Sequence, residues 1–265
     1  MKKSILITGS TDGIGKLAAI NLAKDGYSVS LHGRNQDKLD KTIAEVKQLS
    51  GSESVDGFVA DFSDLASVQK MASQVKERME ILDVLVNNAG VFNSAKASNA
   101  EGMDMRFVVN YLAPYLLTRE LLPLLAPSAQ ARIINLSSAA QSPVSIPALR
   151  AQQSIAVREA YAQSKLALTM WSFHLADQQP NATVIALNPG SLLNTKMVRE
   201  AFGRHWSSAD KGAEIICTLA TLESYADKSK TYFDNDQGSF GRAHSDAYDS
   251  TKIAELIRVT EELLT

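Results

Sequence analysis

The 265-residue chain is 45% apolar and 21% charged, a balance that suits a globular protein with a sizeable core. Its formal net charge of −2 offers no basic field for nucleic acid or an anionic membrane surface, and no apolar run approaches the roughly 20 residues that span a bilayer. The opening MKKSILITGS has too few apolar residues for a secretory signal, and the single cysteine, Cys217, excludes an internal disulfide, so a cytoplasmic protein is expected.

In chain order, short apolar runs alternate with longer amphipathic windows. The runs 4–9, 28–33, 54–61, 82–90, 131–138 and 182–190 are apolar or β-branched and end in turn or polar signals, as buried parallel strands do. Helical windows lie between them at 14–25, 35–49, 64–79, 101–125 and 157–178, and a closing helix is expected over 249–264. Gly26 fits the end of the first helix and Asp64 the start of the third. This alternation predicts an α/β fold, a Rossmann-type doubly wound parallel sheet with helices on both faces, in a single domain over 1–265. The least regular stretches are 139–156, 191–206 and 234–247. The first two follow strand ends, where open α/β sheets bind ligands, so 139–160 and 191–206 are candidate substrate loops. Cys217 sits in the apolar run AEIICTLATL and reads as a packed core thiol.

The string TGSTDGIG (8–15) closes the first strand and opens the first helix. Gly9, Gly13 and Gly15 allow a tight turn and close packing, and the stretch Gly9, Ser10, Thr11, Asp12, Gly13, Ile14, Gly15 presents helix-start N–H groups to a diphosphate. The spacing G-x-x-x-G-x-G resembles that of the short-chain dehydrogenase/reductases, and further motifs extend the resemblance along nearly the whole chain. After the second strand, SLHGRN has no acidic residue to hold a ribose diol. Gly33 leaves room and Arg34 offers a planar fork to a 2′-phosphate. NADP(H) is therefore expected in preference to NAD(H), although many NADP-preferring relatives carry a basic residue where this chain has Asp12. The resemblance implies that Asp61 contacts the adenine amino group with Phe62 beside the ring; a helix-start role for Asp61 is the other reading. NNAG (87–90) matches the motif that fixes the central sheet and lines the cofactor pocket, with Asn88, Ala89 and Gly90 against the nucleotide.

EAYAQSK (159–165) places Tyr161 and Lys165 four apart, on one helical face. A phenol titrates near about 10, too high for proton exchange at neutral pH, and a nearby cation lowers that value. Y-x-x-x-K thus makes Tyr161 an acid/base and Lys165 its tuning cation, and the resemblance implies that Lys165 also binds the nicotinamide ribose. The resemblance makes Ser138 the residue that orients the substrate oxygen, with Ser137 the alternative one residue away. Asn110 matches the asparagine that holds a relay water. Pro114 has no N–H, so a helix kinked there would leave the carbonyl of residue 110 free for that water; a kink that only bends the helix is the competing account. Pro189 and Gly190 in NPGSLLNTKM resemble the segment beside the nicotinamide, with Asn194 at the usual threonine position and Thr195 one later. Ser138 and Tyr161 lie 23 residues apart, a long spacing that resembles the retinol-dehydrogenase-like branch, as does the tail 232–249. The intervening loop mixes Val144, Ile146 and Leu149 with Arg150, Gln152, Gln153 and Arg158, which does not select a lipid.

His32, His174, His205 and His244 have no metal-ligand spacing and are assigned structural roles, with no metal site. The expected protein is an oxidoreductase moving a hydride, the pro-S one as the resemblance implies, between nicotinamide and a small alcohol, aldehyde or ketone, without nucleic-acid partners. A non-catalytic NADP(H)-binding sensor or scaffold on the same fold is the alternative. A short-chain epimerase or dehydratase would carry a larger C-terminal domain than residues 190–265 allow. Helices 111–125 and 165–175 suit either a homo-oligomer interface or the core.

Overall fold

The computed structural model describes residues 2–203 and 205–265. Met1 and Arg204, the latter inside the expected loop 191–206, lie outside the described residues. The strands are β1 (Ser4–Ile7), β2 (Ser28–Gly33), β3 (Val55–Val59), β4 (Val84–Asn87), β5 (Arg132–Leu136), β6 (Thr183–Asn188), β7 (Thr231–Asp234) and β8 (Ser239–Gly241). They form one eight-stranded sheet in the order β3-β2-β1-β4-β5-β6-β7-β8. All pairings are parallel except the β7–β8 hairpin, where Phe233 faces Phe240 in register. The order reverses between β1 and β4, the switch point at which such sheets bind nucleotides.

The helices are α1 (Gly13–Lys24), α2 (Gln36–Ser50), α3 (Leu65–Arg78), α4 (Met105–Phe107), α5 (Ala113–Leu125), α6 (Ile146–Leu149), α7 (Val157–Gln178), α8 (Lys196–Phe202), α9 (Ala209–Thr221) and α10 (Ser250–Leu263). They cover both faces because the strands alternate inward side chains. Ile5, Ile7, Val29 and Leu31 pack with α1 and α9, whereas Leu6, Leu85 and Ile133 pack with α3, α5 and α7. Local chemistry sets the helix ends. Asn35 and Asp64 accept the N–H groups of Lys38 and Ala66, and Gly26 and Gly51 close α1 and α2 with φ of +87° and +70°.

The expected helix over 101–125 is not continuous. Its centre widens into a π-helical turn, Val108–Leu112, in which the Ala113 N–H closes on the Val108 carbonyl. Pro114, lacking an N–H, is what a regular α register cannot accommodate there. Five of these elements escaped the sequence reading: β7 and β8 in and beside the irregular 234–247, α6 within 139–156, α8 within 191–206, and α9 around Cys217. The thiol itself is partly buried, with Sγ 3.7 Å from the Ala18 carbonyl, and burial pushes its pKa up to about 12.

The C-terminal helix α10 lies over α5 and α7. Tyr111 meets Thr260 at 2.6 Å, while Tyr115 donates to Glu261, which also pairs with Arg119. Most apolar residues of those two helices are buried within this chain. No described helix is long and apolar enough to cross a membrane.

Candidate active site

The carboxyl ends of β1, β4, β5 and β6 converge, and the expected site residues gather there. The glycine loop is held from beneath by a buried histidine. His32 Nδ1 accepts the Gly9 N–H at 3.0 Å and Nε2 lies 3.0 Å from the Ala60 carbonyl. Since Nδ1 accepts, Nε2 carries the proton. Burial lowers the pKa of this ring to about 4, so it is neutral. From the β4 side, Asn88 Nδ2 donates to the carbonyls of Thr8 and Gly9 at 2.8 and 3.0 Å. The Thr8 hydroxyl accepts the N–H groups of Asn88 and Ala89. The packing is tight enough to require glycine: a Cβ on Gly9 would sit 2.7 Å from Ala89 Cα, and Gly9 has φ of +63°.

Asp12 caps α1 by accepting the Gly13 N–H at 2.8 Å and pairs with Lys38 at 3.1 Å. The N–H groups of Ile14 and Gly15 belong to the first turn of α1 and have no carbonyl behind them in the helix. Arg34 is exposed at the end of β2 and forms no ion pair with another described residue. Asp61 is exposed, accepting the Ser63 N–H at 2.9 Å, while Asp64 serves as the helix cap.

Two expectations are corrected here. Ser10 does not face a phosphate: it is fully buried, its hydroxyl bonds the Ile7 carbonyl, and its N–H bonds the His32 carbonyl. Phe62 is likewise turned inward, 4% exposed and stacked on His32 at 4.2 Å, so its ring belongs to the support of the loop. In both cases the packing of β2 and β3 under the loop decides the side-chain direction.

At the chemical end, the Ser138 side chain stands near the Tyr161 phenol and favours its ionised form. Ser137 points the other way, buried between the Lys165 carbonyl and Thr169. Lys165 lies one turn from Tyr161, with Nζ 5.6 Å from its ring centroid. Asn110 is nearby: its Oδ1 accepts the Val91 N–H at 2.7 Å and Nδ2 lies 3.0 Å from both Val91 O and Ser164 Oγ. Ser164 in turn donates to the Tyr161 carbonyl at 2.7 Å, a link that the sequence reading missed. Gly90 fits between these groups, since a Cβ on it would come within 3.3 Å of Asn110 Oδ1 and 3.5 Å of Lys165 Nζ.

The proton chemistry differs from the expectation in one respect. Burial pushes the Tyr161 phenol above its ordinary value, and the Ser138 side chain is what opposes that rise. Lys165 lies beside it, its Nζ donating to the Leu136 carbonyl at 2.7 Å, and burial brings its own pKa down to about 8. Desolvation is the largest influence on both groups.

The substrate side has an unforeseen wall, Phe92, whose ring lies 4.9 Å from that of Tyr161. Parts of the segment after β6 lie beside the glycine loop and the end of β4. Thr195 Cγ2 lies 3.6 Å from where a Gly13 Cβ would be, Asn194 turns away to Arg199, and Asn93 Nδ2 reaches the Glu200 carbonyl at 3.3 Å. Pro189 and Gly190 open that segment; Asn235 Nδ2 bonds the Pro189 carbonyl, and Asp236 accepts from the Ser191 N–H and hydroxyl. The loop 139–160 behaves differently. Ala148 and Leu149 are buried, and Val144, Ile146 and Ile155 are partly buried against the same core. Among the described residues there is no cluster of metal ligands.

The short chain dehydrogenase family model matches residues 3–205. The chain is 32% identical over 257 residues to retinol dehydrogenase 13 of Homo sapiens, covering 88% of this chain and 76% of the relative. It is 31% identical over 207 residues to polyprenol dehydrogenase of Homo sapiens, covering 74% of this chain and 62% of that protein. The chain thus spans between about three-fifths and three-quarters of these relatives. Among solved structures, RhlG of Pseudomonas aeruginosa in an active-site complex with NADP superposes with a TM-score of 0.72 at 25% identity, over 89% of this chain and 95% of that one.

Proposed function

The chain belongs to the short-chain dehydrogenase family of nicotinamide-dependent oxidoreductases, in its retinol-dehydrogenase-like branch, and on that premise we propose an NADP(H)-preferring enzyme that interconverts a carbonyl compound and its alcohol. The observation that carries this reading is Lys165 Nζ 5.6 Å from the Tyr161 ring, with Ser138 near the phenol, at the sheet edge that also holds the glycine loop.

The residues present fit a nicotinamide dinucleotide. Gly9 and Gly13 adopt φ of +63° and +55°, Gly33 is required because its Cβ would lie 2.5 Å from Thr11 Cγ2, and α1 begins with open N–H groups. Thr11, Asp12, Ile14 and Gly15 would hold the diphosphate, Arg34 the 2′-phosphate, Asp61 the adenine, Lys165 the nicotinamide ribose and Thr195 the carboxamide. Ala89, Gly90, Pro189 and Gly190 would wall the pocket, with Asn88 and Ser10 bracing it from behind. Arg34 and the NADP-bound structural relative support NADP(H) over NAD(H), and the Lys38 ion pair offsets the acidic charge of Asp12.

Bound there, the cofactor supplies or accepts a hydride at the carbonyl carbon. Ser138 donates a hydrogen bond to the carbonyl oxygen and polarises it. Tyr161 gives its proton to that oxygen, and the raised pKa keeps it protonated until it does so. Ser138 and the Lys165 ammonium then stabilise the phenolate, and Asn110 would support its reprotonation through water. Phe92 makes the substrate side apolar next to the reacting carbon. Both relatives above are named for alcohols, retinol and polyprenol, which fits this class of reaction without fixing the substrate here.

The test is NADPH oxidation against aldehydes, ketones and quinones. Tyr161→Phe should abolish turnover with NADPH affinity nearly unchanged; wild-type turnover in that variant would sink the mechanism. A non-catalytic sensor would turn over none of the panel in either form.

A further inference from the structure

The β7 strand and the segment after β8 reach back to the catalytic serine. β5 pairs with β6 only as far as Leu136, so the Ser138 carbonyl stands beyond the sheet ladder. Two donors converge on it: Gln141 Nε2 at 2.9 Å and the Tyr232 hydroxyl at 3.1 Å. Tyr232 comes from the middle of β7, opposite Ala186, and is 4% exposed. Gln141 is itself oriented, because its Oε1 accepts the His244 N–H at 3.1 Å, which turns the Nε2 end toward Ser138.

We propose that Tyr232 and Gln141 are positioning residues: by fixing the Ser138 peptide they aim its hydroxyl at the reacting oxygen. A carbonyl held from two directions fixes the peptide plane from which the side chain projects, and the Ala140 N–H holds the Oγ. The hydroxyl is also polarised in one direction. Ser138 Oγ accepts the Ala140 N–H at 3.1 Å, so its own proton remains to be donated toward Tyr161 and the substrate. Tyr232 stays a donor at any working pH, since burial and the nearby Asp234 and Asp236 push its phenol up. The tail of the chain thereby contributes to catalysis without touching the substrate.

This inference rests on the assignment of Ser138 above, and the experiment separates the two. Tyr232→Phe, Gln141→Leu and the double variant are assayed by NADPH oxidation with 4-nitrobenzaldehyde beside Ser138→Ala. Each single variant retains one donor and should lose about 5-fold in kcat; the double should lose about 100-fold, the scale of a 1 Å misplacement, more than the two singles multiplied. KM for NADPH and the thermal midpoint should hold. The pH profile gives a readout that a merely structural role would not move. Reduction needs Tyr161 protonated, and a loosened Ser138 no longer holds its pKa down, so the alkaline limb should shift to higher pH. A double variant with unchanged kcat and pH profile overturns the inference, as does a kcat loss matched by equal losses in NADPH affinity and thermal midpoint. If Ser138→Ala itself turns over normally, the assignment of Ser138 falls as well.

Discussion

His32 accepts the Gly9 N–H through Nδ1, so the loop that would hold the cofactor diphosphate rests on a neutral imidazole. Its pKa is about 4 in the fold against 6.5 ordinarily. The unfolded chain therefore takes up a proton near 6.5 that the native state refuses until about 4. Stability is full above that window and is lost as pH falls through it. The loss between pH 7 and pH 5 should be about 2 kcal/mol, measured by urea unfolding. A His32→Asn variant should flatten that dependence and weaken NADPH binding; an unchanged slope would place the titration elsewhere.

On the proposed NADP(H) reading, cofactor choice would turn on Arg34. Losing a charged hydrogen-bond pair costs about 2 kcal/mol, so Arg34→Ala should weaken NADPH binding about 30-fold. NADH affinity should stay within a factor of about two, because only the 2′-phosphate distinguishes the cofactors. Fluorescence titration with both nucleotides checks this, and equal losses for both would contradict it.

Gly90 has room for a hydrogen and little more, with Asn110 Oδ1 and Lys165 Nζ 3.3 and 3.5 Å from its Cβ position. Gly90→Ala should therefore displace Lys165 or Asn110 and reduce kcat/KM by about 10- to 100-fold. The thermal midpoint should move by only a few degrees, since the cleft is not the core. Steady-state kinetics with differential scanning calorimetry reads both numbers.

Lys165 is buried, and its pKa is drawn down to about 8. The ammonium is present below that pH and is lost above it. NADPH affinity should accordingly fall as pH rises past about 8, and Lys165→Met should show the weakened affinity at every pH. Titrations at pH 6.5, 8 and 9.5 make the comparison; a pH-independent affinity in the wild type would place the ribose contact elsewhere.

Much of this molecule is determined by local sequence. Buried strands such as SVSLHG and the helix 157–178 follow from runs of apolar residues and from side-chain periodicity, and were legible with their boundaries. TGSTDGIG and Y-x-x-x-K were legible because each joins its groups over a few residues of one turn or one helix face. Tertiary packing decided the rest. Ser137 and Ser138 are adjacent and chemically identical, and only the register of β5 against α7 turns one into the core and the other onto Tyr161. Ser10 and Phe62 face inward because β2 and β3 close beneath the loop, and His32 gained its task from a partner 23 residues away. β7 was illegible as a four-residue strand with polar ends, yet Tyr232 meets Ser138 across 94 residues of chain. Contacts of that range carry no periodicity, so the fold had to form before they could be read.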